Sequence, residues 1–240
     1  VNGYKGIELI SEQVRHEYGS AYPEKQLLPH GLLVPDDCVL DLVSPQFING
    51  DGKIVDFSGS GNHGTITGAT KVRLPSGWWV LDFDGTDKID CDTGLTLGEH
   101  TFTRWLKSSH AAGNGGIWGF PSIGFSLIGT APLLLLGGAN YQYWVDVSAY
   151  LNGVWHFWEL YIAGSGQNDI DNCSLKIDGA TITKDGASIK TGAPDAWTGL
   201  RIGNNTYGTL VSSLGITQVY NQAITTGTTM YNRERHLFGA

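Results

Sequence analysis

From residue 38 onward, apolar and polar residues alternate in short runs, and turn-forming residues interrupt them every few positions. A period of two over four to eight residues marks a strand with one face buried. On that pattern, strands are predicted over 38–43, 65–67, 78–83, 88–91, 101–107, 117–120, 124–128, 133–136, 141–147, 154–163, 174–177, 181–183, 200–202, 210–214 and 216–220. So many short strands, with few helical patterns between them, imply an all-β fold: a two-sheet antiparallel sandwich. Only the ends depart from it. Ile7, Ile10 and Val14 recur at helical spacing among Glu8, Glu12 and Arg15, which predicts a short helix over 6–18. Pro23, Pro29 and Pro35 then each remove a backbone donor. Residues 1–37 therefore read as an arm, and 38–240 as the sandwich domain. Such an arm either wraps its own domain or docks on a neighbouring copy, giving a homo-oligomer. At the other end, Thr225 is placed to cap a short helical turn reaching Arg235.

Composition narrows the function classes. The net charge of −8 and the lack of a basic patch argue against a nucleic-acid partner. The longest apolar run, around 133–136, is far too short to span a bilayer, so no membrane span is expected. Cys38, Cys91 and Cys173 are an odd number without metal-ligand spacing, so buried free thiols are the expectation. No signal-peptide pattern opens the sequence. With Val1 first and Met230 the lone methionine, the chain reads as a processed product or an excised fragment.

The segment 56–69 is too rich in glycine and small polar residues for a strand or helix interior. It is an ordered turn whose glycines supply positive φ. Asp56, Ser58 and Asn62 either hydrogen-bond the freed backbone or coordinate a hard cation. A second acidic group, Asp82, Asp84, Asp87, Asp90 and Asp92, contains a hairpin turn at 84–87. Asp90 and Asp92 share a strand face and repel each other unless solvated or bridged.

These landmarks together resemble a known family. The glycine turn 56–64, read with Leu81-Asp82-Phe83-Asp84-Gly85, resembles the "D-x-S-G-x-G-N-x-G … L-x-F-D-G" signature of LamG-like jelly-roll domains, of the concanavalin A-like lectin/glucanase superfamily. Thr101-Phe102-Thr103-Arg104-Trp105-Leu106-Lys107 and Val154-Trp155-His156-Phe157 are similar to its "F-T-x-W-x-K" and "W-H" strands. Leu175-Lys176-Ile177-Asp178-Gly179, Leu200-Arg201-Ile202-Gly203 and the segment 216–223 are similar to its later landmarks. The resemblance covers about 38–235 and implies a concanavalin A-like jelly roll.

The resemblance also implies a structural calcium near the glycine turn, with Asp56 and Asn62 at matching positions. However, the acidic pair usual in the family's last strand is missing from Leu214-Gly215-Ile216-Thr217-Gln218-Val219, so one ligand is lost. On strand 154–163, Trp155, Phe157, Glu159 and Tyr161 share one face, and His156, Trp158, Leu160 and Ile162 the other. Alternation alone leaves open which face is core. The family's pattern assigns Trp158, Leu160 and Ile162 to it. Phe157, Glu159 and Tyr161 then form a candidate glycan surface, because sugar C–H faces stack on rings while hydroxyls bond the acid. Trp118, Tyr141 and Tyr143 are candidates to extend it. The paired carboxylates of superfamily glucanases have no counterpart pattern here. The reading is a non-catalytic module that binds glycans or surface proteins at an extracellular, cell or virion surface. The alternatives are a virion or extracellular-filament assembly protein displaying this domain, and a glycoside hydrolase or lyase.

Overall fold

The structure, a computed structural model, describes residues 37–91, 99–109, 114–120, 123–136, 140–164, 167–190, 199–204, 208, 211–224 and 227–240. The predicted helix over 6–18, Thr225 and Asp92 lie outside them. Strands are numbered in chain order, and all pair antiparallel. One sheet runs β13 (Ala180–Ile182), β12 (Ser174–Ile177), β11 (Trp155–Ile162), β6 (His100–Lys107), β15 (Val211–Tyr220), β4 (Trp79–Asp84) and β3 (Thr70–Arg73), with β1 (Cys38–Leu42) also paired to β15. The other runs β10 (Tyr141–Tyr143), β9 (Ala131–Leu135), β8 (Ile123–Ile128), β7 (Asn114–Phe120), β14 (Arg201–Gly203), β5 (Lys88–Cys91) and β2 (Gly64–Thr67). The chain is the expected two-sheet antiparallel sandwich.

Alternation decides what lies between the sheets. Leu81 and Phe83 of β4, Phe102 and Leu106 of β6, Trp158, Leu160 and Ile162 of β11, and Leu214 and Val219 of β15 all point inward and are buried. They meet Ile89, Trp118, Phe125, Leu127, Leu134 and Ile202 of the facing sheet. Phe102 stacks on Trp118 at 4.1 Å between ring centroids. Cys38, Cys91 and Cys173 are free and buried, as their number and spacing suggested. Burial pushes the Cys173 thiol up to about 11, which keeps it neutral.

Several expectations need correction. The runs at 210–214 and 216–220 are one strand, β15, with a bulge between Leu214 and Thr217. β3 had no prediction, because its four residues are mostly exposed and carry no apolar alternation. β7 begins at Asn114, three residues before the predicted strand at 117. β10 stops at Tyr143 instead of running to 147.

The largest difference is at the C-terminus. The predicted short turn is a helix, α1 (Gly227–Phe238), and it covers the outer face of the β1–β15–β6–β11 region. Met230 and Phe238 pack there with Trp78, Val80, Trp105, Trp155, Phe157, Ile216 and Tyr220. Trp105 is fully buried, stacked on Tyr231 at 5.6 Å and on Phe238 at 4.6 Å. Its indole N–H donates to Glu234 at 2.9 Å. Gly215 makes this approach geometrically feasible: a Cβ there would lie 2.3 Å from the Phe238 ring. In the segment where the family pattern carries acids, this chain has a glycine that admits a ring.

Candidate functional site

The residues singled out for glycan contact do not form one surface. Trp118 is 3% exposed and lies in the inter-sheet core. Phe157 is 2% exposed and lies beneath α1, 5.5 Å from Trp105. Glu159 and Tyr161 do face outward from β11, as the family pattern implied, but both are already engaged. Glu159 pairs with Lys176 across the β11–β12 ladder at 2.8 Å and is itself buried. The Tyr161 hydroxyl donates to Glu99 at 2.8 Å, and burial together with that bond pushes its phenol up to about 12. Tyr141 and Tyr143 flank the inward-facing Gln142, so they lie on the outer face of the opposite sheet, edge to face at 5.6 Å. The backbone of Tyr141 exchanges hydrogen bonds with Ile189, so this edge is covered. The candidates are thus divided between the core, the layer under α1 and the two outer faces of the sandwich.

In the glycine turn, Asp56 organises the backbone. One carboxylate oxygen accepts from the amides of Asp41 and Ser58, and the other from the Ser58 hydroxyl and the Asn62 amide, all within 2.9 Å. The Asn62 side chain donates to the Val39 carbonyl at 2.7 Å. Gly59 and Gly61, at φ +86° and +76°, allow the chain to curl so that these donors converge. Four N–H and O–H groups aimed at one carboxylate fit an anion-centred turn clamped to β1, and a calcium ion held by Asp56 would have to displace them. The donor set therefore does not fit a cation at Asp56. Among the described residues, no group of three or more His, Cys, Asp or Glu side chains is placed to hold a metal.

The second acidic group resolves into structural roles, with one exception. Asp84 accepts from the amide and hydroxyl of Thr86, and Asp87 from the amide of Asp84, each at 2.8 Å. Asp90 is flanked by Lys88 at 2.8 Å and Arg201 at 2.6 Å; these bonds outweigh its partial burial and hold its carboxyl below the usual range. Asp82 is the exception. One of its oxygens is shielded and accepts no hydrogen bond. It lines an open cleft of about 200 Å³ with Lys107, Ser109, Gly153, Val211 and Ser213. Ser213 is the direct neighbour of Asp82 on β4 and of Lys107 on β6, so the three form one row on the outer face. At about 4.8 Å per strand, the backbones of Asp82 and Lys107 stand roughly 10 Å apart with a hydroxyl between them. This row lies outside the helix-covered layer, and Val211 beside it is 59% exposed.

The cleft offers an acceptor, a cation and hydroxyls at one rim, with Phe83 also in its lining. Sequence reasoning noted Asp82 only as a member of an acidic run. Lys107 and Ser213 sit on other strands, and their one signal was a Ser-Ser pair opening an otherwise apolar strand.

No protein-family model matches the chain, and no curated protein sequence matches it. Solved structures do. The binding domain of Paraclostridial Mosquitocidal Protein 1 superposes with a TM-score of 0.59 at 14% identity, covering 82% of this chain and 52% of that one. The binding domain of botulinum neurotoxin DC in complex with rat synaptotagmin II gives 0.58 at 12% identity, covering 83% and 52%. The same toxin domain in complex with SialylT gives 0.58 at 12%, covering 82% and 52%. The chain spans about half the length of these structures. At such identity, the likeness is one of fold.

Proposed function

We propose that the protein is a non-catalytic recognition module that takes a polyhydroxylated ligand, a glycan, in the cleft between Asp82 and Lys107. The row of Asp82, Ser213 and Lys107 along one open cleft carries this reading. An ionised carboxylate is an acceptor at both oxygens, and a sugar hydroxyl in the cleft would donate to the Asp82 side chain. Lys107 and the serine hydroxyls would bond further oxygens of the same ring. The fold neighbours include a binding domain solved in complex with SialylT and also with rat synaptotagmin II, which supports a binding role for this type of sandwich. We also infer that the sandwich is of the LamG-like type, since the stretches carrying that resemblance fall on β4, β6, β11, β12, β14 and β15 and on the Asp56 turn. Display at an extracellular, cell or virion surface accords with an acidic, glycan-binding domain.

A glycan array read with the wild-type chain and with Asp82→Asn, Lys107→Ala and Glu159→Gln tests the assignment. Affinity falls about tenfold or more in the first two and is unchanged in the third. Loss confined to the Glu159 variant would move the site to β11. The absence of binding to any sugar would remove the glycan reading.

A further inference from the structure

Two donors face the interior of the sandwich without the acceptors they need. Arg104 sits at the centre of β6 between Phe102 and Leu106, and it is 5% exposed. Its neighbours across the ladders are Trp158 on β11 and Thr217 on β15. The guanidinium donates from Nε to the Thr217 hydroxyl at 3.3 Å and from Nη1 to the Ile117 carbonyl at 2.7 Å. These bonds use two of its five N–H groups and neutralise none of its charge. Among the described residues, no carboxylate forms an ion pair with it. The one acid acting on it is the Cys91 thiol, an ordinarily neutral group near pH 7. Burial pulls the guanidinium well below its ordinary value, to about 9, which reflects how poorly this position tolerates an uncompensated charge. Trp158 is 4% exposed, and its indole N–H has no acceptor.

Both side chains line one cavity of about 20 Å³, together with Phe102, Trp118, Phe125 and Thr217. That volume admits a particle the size of a water or a halide. The two differ in what they offer. Water supplies lone pairs but brings two O–H donors into a space walled largely by rings. A halide only accepts, and it cancels the charge of Arg104.

We propose that this cavity holds one small monovalent anion of halide size, held by the Arg104 guanidinium and the Trp158 indole N–H as an internal counter-ion of the sandwich. The site is separate from the Asp82 cleft and independent of any glycan.

Thermal unfolding of the full chain at constant ionic strength, with gluconate replaced stepwise by chloride, tests it. The melting temperature rises by about 3 °C or more per tenfold of chloride above its Kd. Trp158→Phe keeps the ring and removes the donor, so the chloride midpoint moves up about tenfold, and Arg104→Met abolishes the response. Bromide is the direct probe: a crystal grown in it shows an anomalous peak between Arg104 and Trp158. Should Arg104→Met fail to fold, the Trp158→Phe shift and the bromide peak decide the matter. A melting temperature indifferent to chloride, together with no bromide peak, would mean that a water fills the cavity and would overturn the proposal.

Discussion

The two layers that flank the larger sheet are built differently. The inner layer is closed by a second sheet, and the side chains from both meet as an apolar slab in which Arg104 is the one buried arginine or lysine among the described residues. The outer layer is closed by one helix, α1, and it carries acids and amides among its rings. Asp41, Gln218 and Thr103 form a row across β1, β15 and β6, with Glu234 reaching down from α1. Gln218 donates to Asp41 at 3.0 Å and accepts from the Tyr220 hydroxyl at 3.0 Å. The contrast teaches that the fold is set by sheet-on-sheet burial, while the outer layer depends on a single element whose seat is partly polar. The outer layer should therefore be the easier one to open and the one sensitive to pH.

Removing α1 tests this most severely. A chain ending at residue 226 exposes Trp78, Trp105, Trp155 and Phe157 and loses the packing of Met230 and Phe238. The expected cost is on the order of 5 kcal/mol or more, with strong binding of a hydrophobic dye while far-ultraviolet circular dichroism retains the sandwich signal. Loss of the strand signal itself would mean that the layers are not separable.

The next effect is protonic. Burial, with Glu234 and Asp56 adding to it, raises the Asp41 carboxyl from 3.8 to about 7, and burial likewise raises Glu234. Between about pH 4 and 7, the folded chain holds a proton on Asp41 that the unfolded chain has released. Its contribution is thus fully present below about pH 4 and is lost as the pH rises through 7, by an amount on the order of 4 kcal/mol. Urea unfolding of the wild type and Asp41→Asn at pH 4.5 and 8 reads this as a smaller loss of stability in the variant. Equal pH dependence in the two chains would place the effect elsewhere.

The finest probe is Gly215→Ala. Its Cβ would meet the ring of Phe238 at 2.3 Å and Trp105 at 2.9 Å, so α1 must lift or the rings must shift. A destabilisation of roughly 1–3 kcal/mol is expected, relieved in the double variant with Phe238→Leu. Additive effects in that double-mutant cycle would deny the contact its role.

Much of this was legible in the chain, for identifiable reasons. On β11, alternation separated two faces and the family resemblance assigned Trp158, Leu160 and Ile162 to the core, where they lie. The Asp56 turn announced itself because glycines at positive φ and short acceptors act within a few residues of each other. Trp118 misled because the short predicted strand 117–120 does not say which of its faces is core, and β7 turns this ring between the sheets. Phe157 misled for a different reason. It does leave the inter-sheet core, but nothing on its own strand discloses that a helix some seventy residues later covers that face. The Asp82 cleft was invisible because its three groups come from three strands, brought side by side only by pairing.

By itself, the sequence determined the class of fold, the faces of its regular strands and the turn that opens it. Each follows from interactions between residues close in the chain, where periodicity and backbone preference act directly. Tertiary structure decided which outward faces stay outward. Burial of Phe157 under α1, the row of Asp82, Ser213 and Lys107, and the isolation of Arg104 all depend on partners more than ten residues away. For such pairs, sheet register and the docking of one helix set the distances, and no local pattern encodes them.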